Sequence, residues 1–370
     1  MNDIHPQLSD SYSTTMDAAR KADGGGIGAM LLGTISGSAN KSFKKMTNMF
    51  GDPTSLRAGA RMILANVKGN IEESETRLKE GIAGVNFRSE WKGSGAQSFF
   101  DYKDQQLMPA VQTLKEDAAT IADSISDYAS ALDNLRIELI KIAAETATSV
   151  SAEMGNLSSE ESGTKEAAKA KVKAKVGGLS SVISGLIAGW GAKEAANVKV
   201  KDLIDKAVDL QHIDGLPTVT NDDPRHSVGP DGQQVPMPNL KTAVNPDWSK
   251  NQTKKYWQYS GSEFKIDHGP FLGMVKAVRD NGKYWKLADQ FLITAWLNHL
   301  PKSAFSTLLA DSGEFYANLN TVLARRHSTY MYSEPRLQQL GNLLEKVAQS
   351  YGAVDTKNAQ TIDLTYLSNK

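Results

Sequence analysis

The chain has 370 residues, 42 Lys and Arg against 42 Asp and Glu, and no cysteine. Domains of about 100–150 residues allow two or three compact units. Without cysteine there is no disulfide scaffold, thiol chemistry or Cys-ligated metal, and zero net charge argues against a chain built to coat nucleic acid.

That neutrality is a cancellation. Residues 51–150 hold 11 basic and 15 acidic side chains, and residues 248–370 hold 15 basic and 10 acidic. The sign therefore changes between regions.

Residues 1–50 are rich in Ser, Gly, Asp and Asn and are expected as a flexible N-terminal arm. Its apolar stretch, Ile27 to Gly33, is too short and too glycine-interrupted for a Sec signal.

Residues 51–150 then read as a helical hairpin. Asp52-Pro53 supplies a cap and a favoured first residue. Leu56, Ala60, Ile63, Val67, Ile71, Ser74 and Leu78 fall on one helical stripe. The second helix has the strongest pattern. Leu107, Val111, Leu114, Ala118, Ile121, Ile125, Tyr128, Leu132, Leu135, Leu139 and Ile142 alternate steps of four and three. That heptad seam predicts helix-on-helix packing along roughly 50 Å at 1.5 Å per residue. Pro109 marks a kink or the first turn. Two helices cannot enclose such a seam, so a third and fourth are expected, from this chain or another.

Residues 151–212 are expected as a further helical hairpin. Its first helix ends in an uncharged stretch, 176–192, where Ser181, Gly185 and Gly189 lie four apart. A buried core helix is the ordinary reading, and a membrane-inserting hairpin is the alternative. A span needs about 20 apolar residues, and this one is diluted by Gly and Ser. Residues 213–247 hold six of the twelve prolines and read as a Pro-rich linker. Residues 248–370 carry helical spacing near 269–280, 284–299, 303–326 and 335–361 and four of the six tryptophans, which predicts a second helical core.

Catalytic signals are weak. The six histidines are scattered, and none has His-Glu-x-x-His spacing. No Gly-x-Ser-x-Gly or Walker sequence occurs, and Gly24 to Gly28 lacks the spacing of a dinucleotide fingerprint. Asp267-His268 is the one acid/base pair to inspect, with a turn histidine as its ordinary reading. Arg325-Arg326-His327 could meet an anion, with a solvated helix end that satisfies carbonyls as its ordinary reading. No catalytic residue, metal ligand or cofactor is assigned.

Two short motifs carry more. Trp91-Lys92-Gly93 falls between the hairpin helices, with Phe99 and Phe100 opening the second. A tight turn needs Gly where backbones approach, and a Trp can plug the open end. Near the C-terminus a leucine stripe runs into Tyr351-x-x-x-Asp355. On a helix those two share a face. Tyr330 and Glu334 have the same spacing, but the later pair ends a long amphipathic stretch.

Residues 47–150 resemble the WXG superfamily of type VII (ESX) secretion substrates, small helical hairpins that pair into four-helix bundles. Tyr351 and Asp355 resemble the Tyr-x-x-x-Asp/Glu signal of actinobacterial type VII substrates, notably PE-type hairpins and EspB-like proteins. The motif order is reversed relative to EspB-like proteins. The resemblance implies an all-α fold and a protein secreted or held at the cell surface by a Sec-independent route. It implies contact with the secretion ATPase or chaperone and with a second helical hairpin or another copy. The secretion-signal residues would be Trp91, Gly93, Tyr351 and Asp355. The alternatives are a modular toxin with an enzymatic payload in 248–370 and a membrane-active helical protein using 176–192.

Overall fold

The unbroken apolar seam becomes the helix it predicts. From Leu107 to Leu139 every seam residue is buried, and Ile142 is half-buried. The computed structural model describes residues 6–24, 33–85, 91–92, 96, 99–100, 103–189, 199–203, 265–266, 268–306 and 310–367. Their class is all-α. The helices are α1 (Pro6–Ala22), α2 (Thr34–Met49), α3 (Pro53–Met62), α4 (Lys68–Ala83), α5 (Met108–Ser151), α6 (Met154–Leu157), α7 (Ser162–Gly189), α8 (His268–His299) and α9 (Ala310–Leu367). A π-helical turn, Ile63–Val67, joins α3 to α4, and another, Lys103–Leu107, leads into α5. The exception is a two-residue antiparallel ladder of β1 (Trp91–Lys92) and β2 (Lys265–Ile266). The proline-rich linker and Gly93 lie outside the described residues.

Local signals set several boundaries. Asp52 accepts a hydrogen bond from Ser55 N at 3.0 Å, and α3 opens at Pro53. Pro109 follows directly on the π-helical turn Lys103–Leu107, so the break in regular α-helical bonding coincides with the residue that lacks an N–H.

The chain forms two compact units that interleave along the sequence. One comprises Met1–Arg57, Ser124–Val198 and Leu300–Ala317. The other comprises Ala58–Asp123, Lys199–His299 and Asn318–Lys370.

The first unit contains the main departure from the sequence reading. Instead of a loose arm, residues 6–22 and 34–49 are helices with buried faces. Their cover comes from far along the chain. Ala18, Ala22, Ile35 and Ala39 pack with Val150, Leu157, Val172 and Val176 of α5, α6 and α7. Small residues on α1 and α2 allow close helix approach. They also look like loop composition in the sequence. Asp23 caps α2 from eleven residues before its first residue, accepting from Ser36 N at 2.8 Å and Ile35 N at 3.2 Å. In α7, Val176, Leu179 and Ile183 are buried, so part of the uncharged stretch serves as core. Elsewhere Tyr128 stacks on Phe315 at 4.6 Å. Gly51, at φ +52°, leaves no room for a side chain: a Cβ there would lie 2.6 Å from the Ala304 carbonyl.

In the second unit α8 lies along α4. Gly81 and Ala277 meet so closely that a Cβ on Gly81 would lie 2.2 Å from that of Ala277. The C-terminal segments expected as separate pieces are joined into α8 and α9. Asn281-Gly282 looks like turn chemistry, yet Asn281 is buried inside α8. Its amide donates to the Ser74 carbonyl at 2.8 Å, and its carbonyl accepts from the Ser74 hydroxyl at 2.5 Å. Pro335 likewise sits inside α9, where a proline removes a backbone bond and costs about 3 kcal/mol.

Candidate functional site around Trp91

Trp91, expected at an interhelical turn, lies in the two-residue strand β1. It is 1% exposed. Its ring meets Phe271 edge-on at 4.7 Å and lies 5.5 Å from Phe99 and 6.0 Å from Phe100. Pairs of this geometry contribute about 0.5–1.5 kcal/mol each beyond their burial. The backbone is fixed as well, because Trp91 pairs with Ile266 and Lys92 with Lys265 in the ladder. Phe271 and Ile266 had no signal as partners in the sequence, being over 170 residues from the turn.

Tyr351 and Asp355 lie four residues apart within α9, on one helical face by spacing. Of Trp91, Gly93, Tyr351 and Asp355, the side-chain surroundings of Trp91 alone are described. Of the acid/base pair, Asp267 lies outside the described residues and His268 opens α8. The Arg325 to His327 cluster requires correction. It lies inside α9 and is no solvated helix end. Arg326 is 1% exposed, and its Nη2 lies 2.6 Å from Asp117 Oδ2 on α5. His327 Nδ1 lies 2.6 Å from Asp289 Oδ1 on α8. Two neighbouring residues thus tie α9 to two different helices. Charge buried this way needs a partner, which the sequence run alone could not reveal.

A second charged group is Glu75. Burial alone would raise its carboxyl, but hydrogen bonds and charge from Lys115 (2.6 Å) and Lys79 outweigh that and hold it below the ordinary range.

Two open clefts flank α8. One of about 490 Å³ is lined by Arg77, Glu80, Asp280, Lys283 and Tyr284 among others. The other, of about 370 Å³, shares Asp280 and Lys283 and adds Arg279 and Glu334. Both mix charges of opposite sign. Among the described residues no three His, Asp or Glu side chains converge as metal ligands would. None of the described helices is long and apolar enough to cross a membrane. The arrangement best suits helix packing and surface contact.

No family model, curated protein or solved structure matches the chain.

Proposed function

We propose that this protein is a secreted substrate or effector of a type VII (ESX) secretion system that acts through helix-bundle contacts with other proteins. The observation that carries the reading is Trp91, buried against Phe271, Phe99 and Phe100 at the end of the α4–α5 hairpin. A tryptophan exposed on a loop would not need that position. The tyrosine and acid at Tyr351 and Asp355 support it by spacing, since one receptor groove can read two groups one helical turn apart. The roles assigned are a plug for Trp91, the turn backbone for Gly93 and a signal face for Tyr351 and Asp355. Partners are the secretion ATPase or chaperone, then a second hairpin or another copy of the chain. The destination is the cell surface or the medium, by a Sec-independent route.

The enzymatic-payload reading of 248–370 and membrane insertion by 176–192 have no specific observation in their favour.

The test is export from a host carrying the system. Tyr351→Ala and Trp91→Phe are each expected to abolish secretion while the purified variants keep their helical circular dichroism. Undiminished export of both would remove the proposal.

A further inference from the structure

The two helices that cover the first unit's core share an unusual charge. Helix α2 carries Lys41, Lys44 and Lys45 and no acidic residue. Helix α7 carries five lysines between Lys165 and Lys175, with Glu166 as its one acidic residue. The helices pack on each other through the core of Ile35, Ala39, Val172 and Val176. Eight ammonium groups therefore belong to one helix pair. Of these, only Lys171 forms an ion pair among the described residues, with Glu153 at 3.0 Å.

What lies between the lysines matters equally. Ala167, Ala170, Ala174 and Gly177 of α7 are exposed, and beyond Lys175 the helix has no charge. Val182 is 46% exposed there.

We propose that α2 and α7 form a cationic face that docks peripherally on an anionic lipid surface. Each lysine near such a surface adds to the attraction, and the effect needs no defined pocket. Lysine is a compact point charge on a flexible stem, suited to a diffuse field of headgroups. The composition favours lipid over nucleic acid. Neither helix contains arginine for bidentate phosphate contacts, and α7 has no aromatic ring. The one aromatic of α2, Phe43, is buried, so among the described residues neither helix offers an exposed ring for a base to stack on. The small-residue surface lets the helices lie close to the headgroups, and Val182 gives a shallow apolar contact. This differs from insertion, since Val172, Val176, Leu179 and Ile183 of α7 are buried in the protein. The proposal is independent of the secretion reading, and its failure leaves that reading intact.

Purified full-length protein is sedimented with phosphatidylcholine vesicles that contain or lack phosphatidylglycerol. Binding is expected only with phosphatidylglycerol, and raising salt from about 0.05 M to about 0.5 M should weaken it at least tenfold by screening. The quadruple variant Lys41→Glu, Lys44→Glu, Lys173→Glu, Lys175→Glu should lose at least about tenfold in vesicle affinity. The matching Gln variant should be intermediate and guards against misfolding of the reversed one. Absence of binding at low salt, equal binding to both vesicle types, or unchanged binding by the Gln variant would each overturn the proposal. So would displacement of the protein from anionic vesicles by low concentrations of duplex DNA, which would assign the face to nucleic acid.

Discussion

The two units solve the same packing problem with different residues. The first packs small Ala, Val and Ile side chains in one cluster shared by α1, α2, α5, α6 and α7 and rings such as Tyr128, Phe305 and Phe315 in another, and no charged residue among its described ones is buried. The second fills its interior with Trp91, Phe271, Trp285 and Tyr330, and places an arginine and its carboxylate among them. A small-residue core depends on backbones approaching closely and tolerates a polar surface of either sign. A core with an internal ion pair gains little net stability from the charges but penalises any arrangement that separates them. The small-residue cluster of the first unit should lose stability gradually on substitution, and the second unit should fail at its ion pair.

The largest effect is expected at that ion pair. Asp117→Ala removes the carboxylate 2.6 Å from the buried Arg326 guanidinium and should cost about 3–5 kcal/mol in denaturant unfolding. Replacing both partners, Asp117→Leu with Arg326→Met, should recover most of that loss. If the single and double variants are equally destabilised, the pair is not what specifies this core. Next comes the contact between α4 and α8. Gly81→Ala adds a methyl where none fits and should cost about 1–3 kcal/mol, with Ala277→Gly in the same chain restoring stability. A smaller loss belongs to the first unit: Asp23→Ala removes the remote cap of α2 and should cost about 1 kcal/mol, read as faster amide exchange at Ile35 and Ser36.

The smallest effect concerns acid. The folded-state value of Glu75 is lowered, so its contribution is present above the ordinary value of 4.5 and disappears as pH falls through the lowered value. Glu75→Gln should therefore flatten the acid limb of a pH–stability curve. An unchanged limb would place the acid sensitivity elsewhere.

The same contrast governs how much the sequence revealed. The seam of α5 and the stripe from Leu56 to Leu78 could be read because their apolar residues are large and regularly spaced; all but Ile142 are buried, counting Ser74 in the stripe. The cap and proline that open α3 are local chemistry and were equally legible. Helices α1 and α2 were not, because Ala, Ser and Thr outnumber the large apolar side chains on their buried faces. Asn281 and Pro335 look like breaks until the partner Ser74, or the flanking helix that tolerates a proline, is in place. For the candidate site, an aromatic with packing partners at Trp91 could be suspected from the sequence, but not its pairing with β2. Its neighbour Phe271 did not, since pairing across that distance leaves no periodic trace.

The clasp between Ser74 and Asn281 spans 207 residues. A ribosome adding about 5–20 residues per second takes on the order of 10–40 s to make that stretch. During that interval the nascent hairpin has its apolar face completed while α8, which will cover it, has not been synthesised. Closing so long a loop is also slow once the chain is whole. The newborn chain therefore carries an open helical face for far longer than a helix takes to form. A cytoplasmic holdase or a docking partner present in that window can reach the hairpin before the molecule closes it.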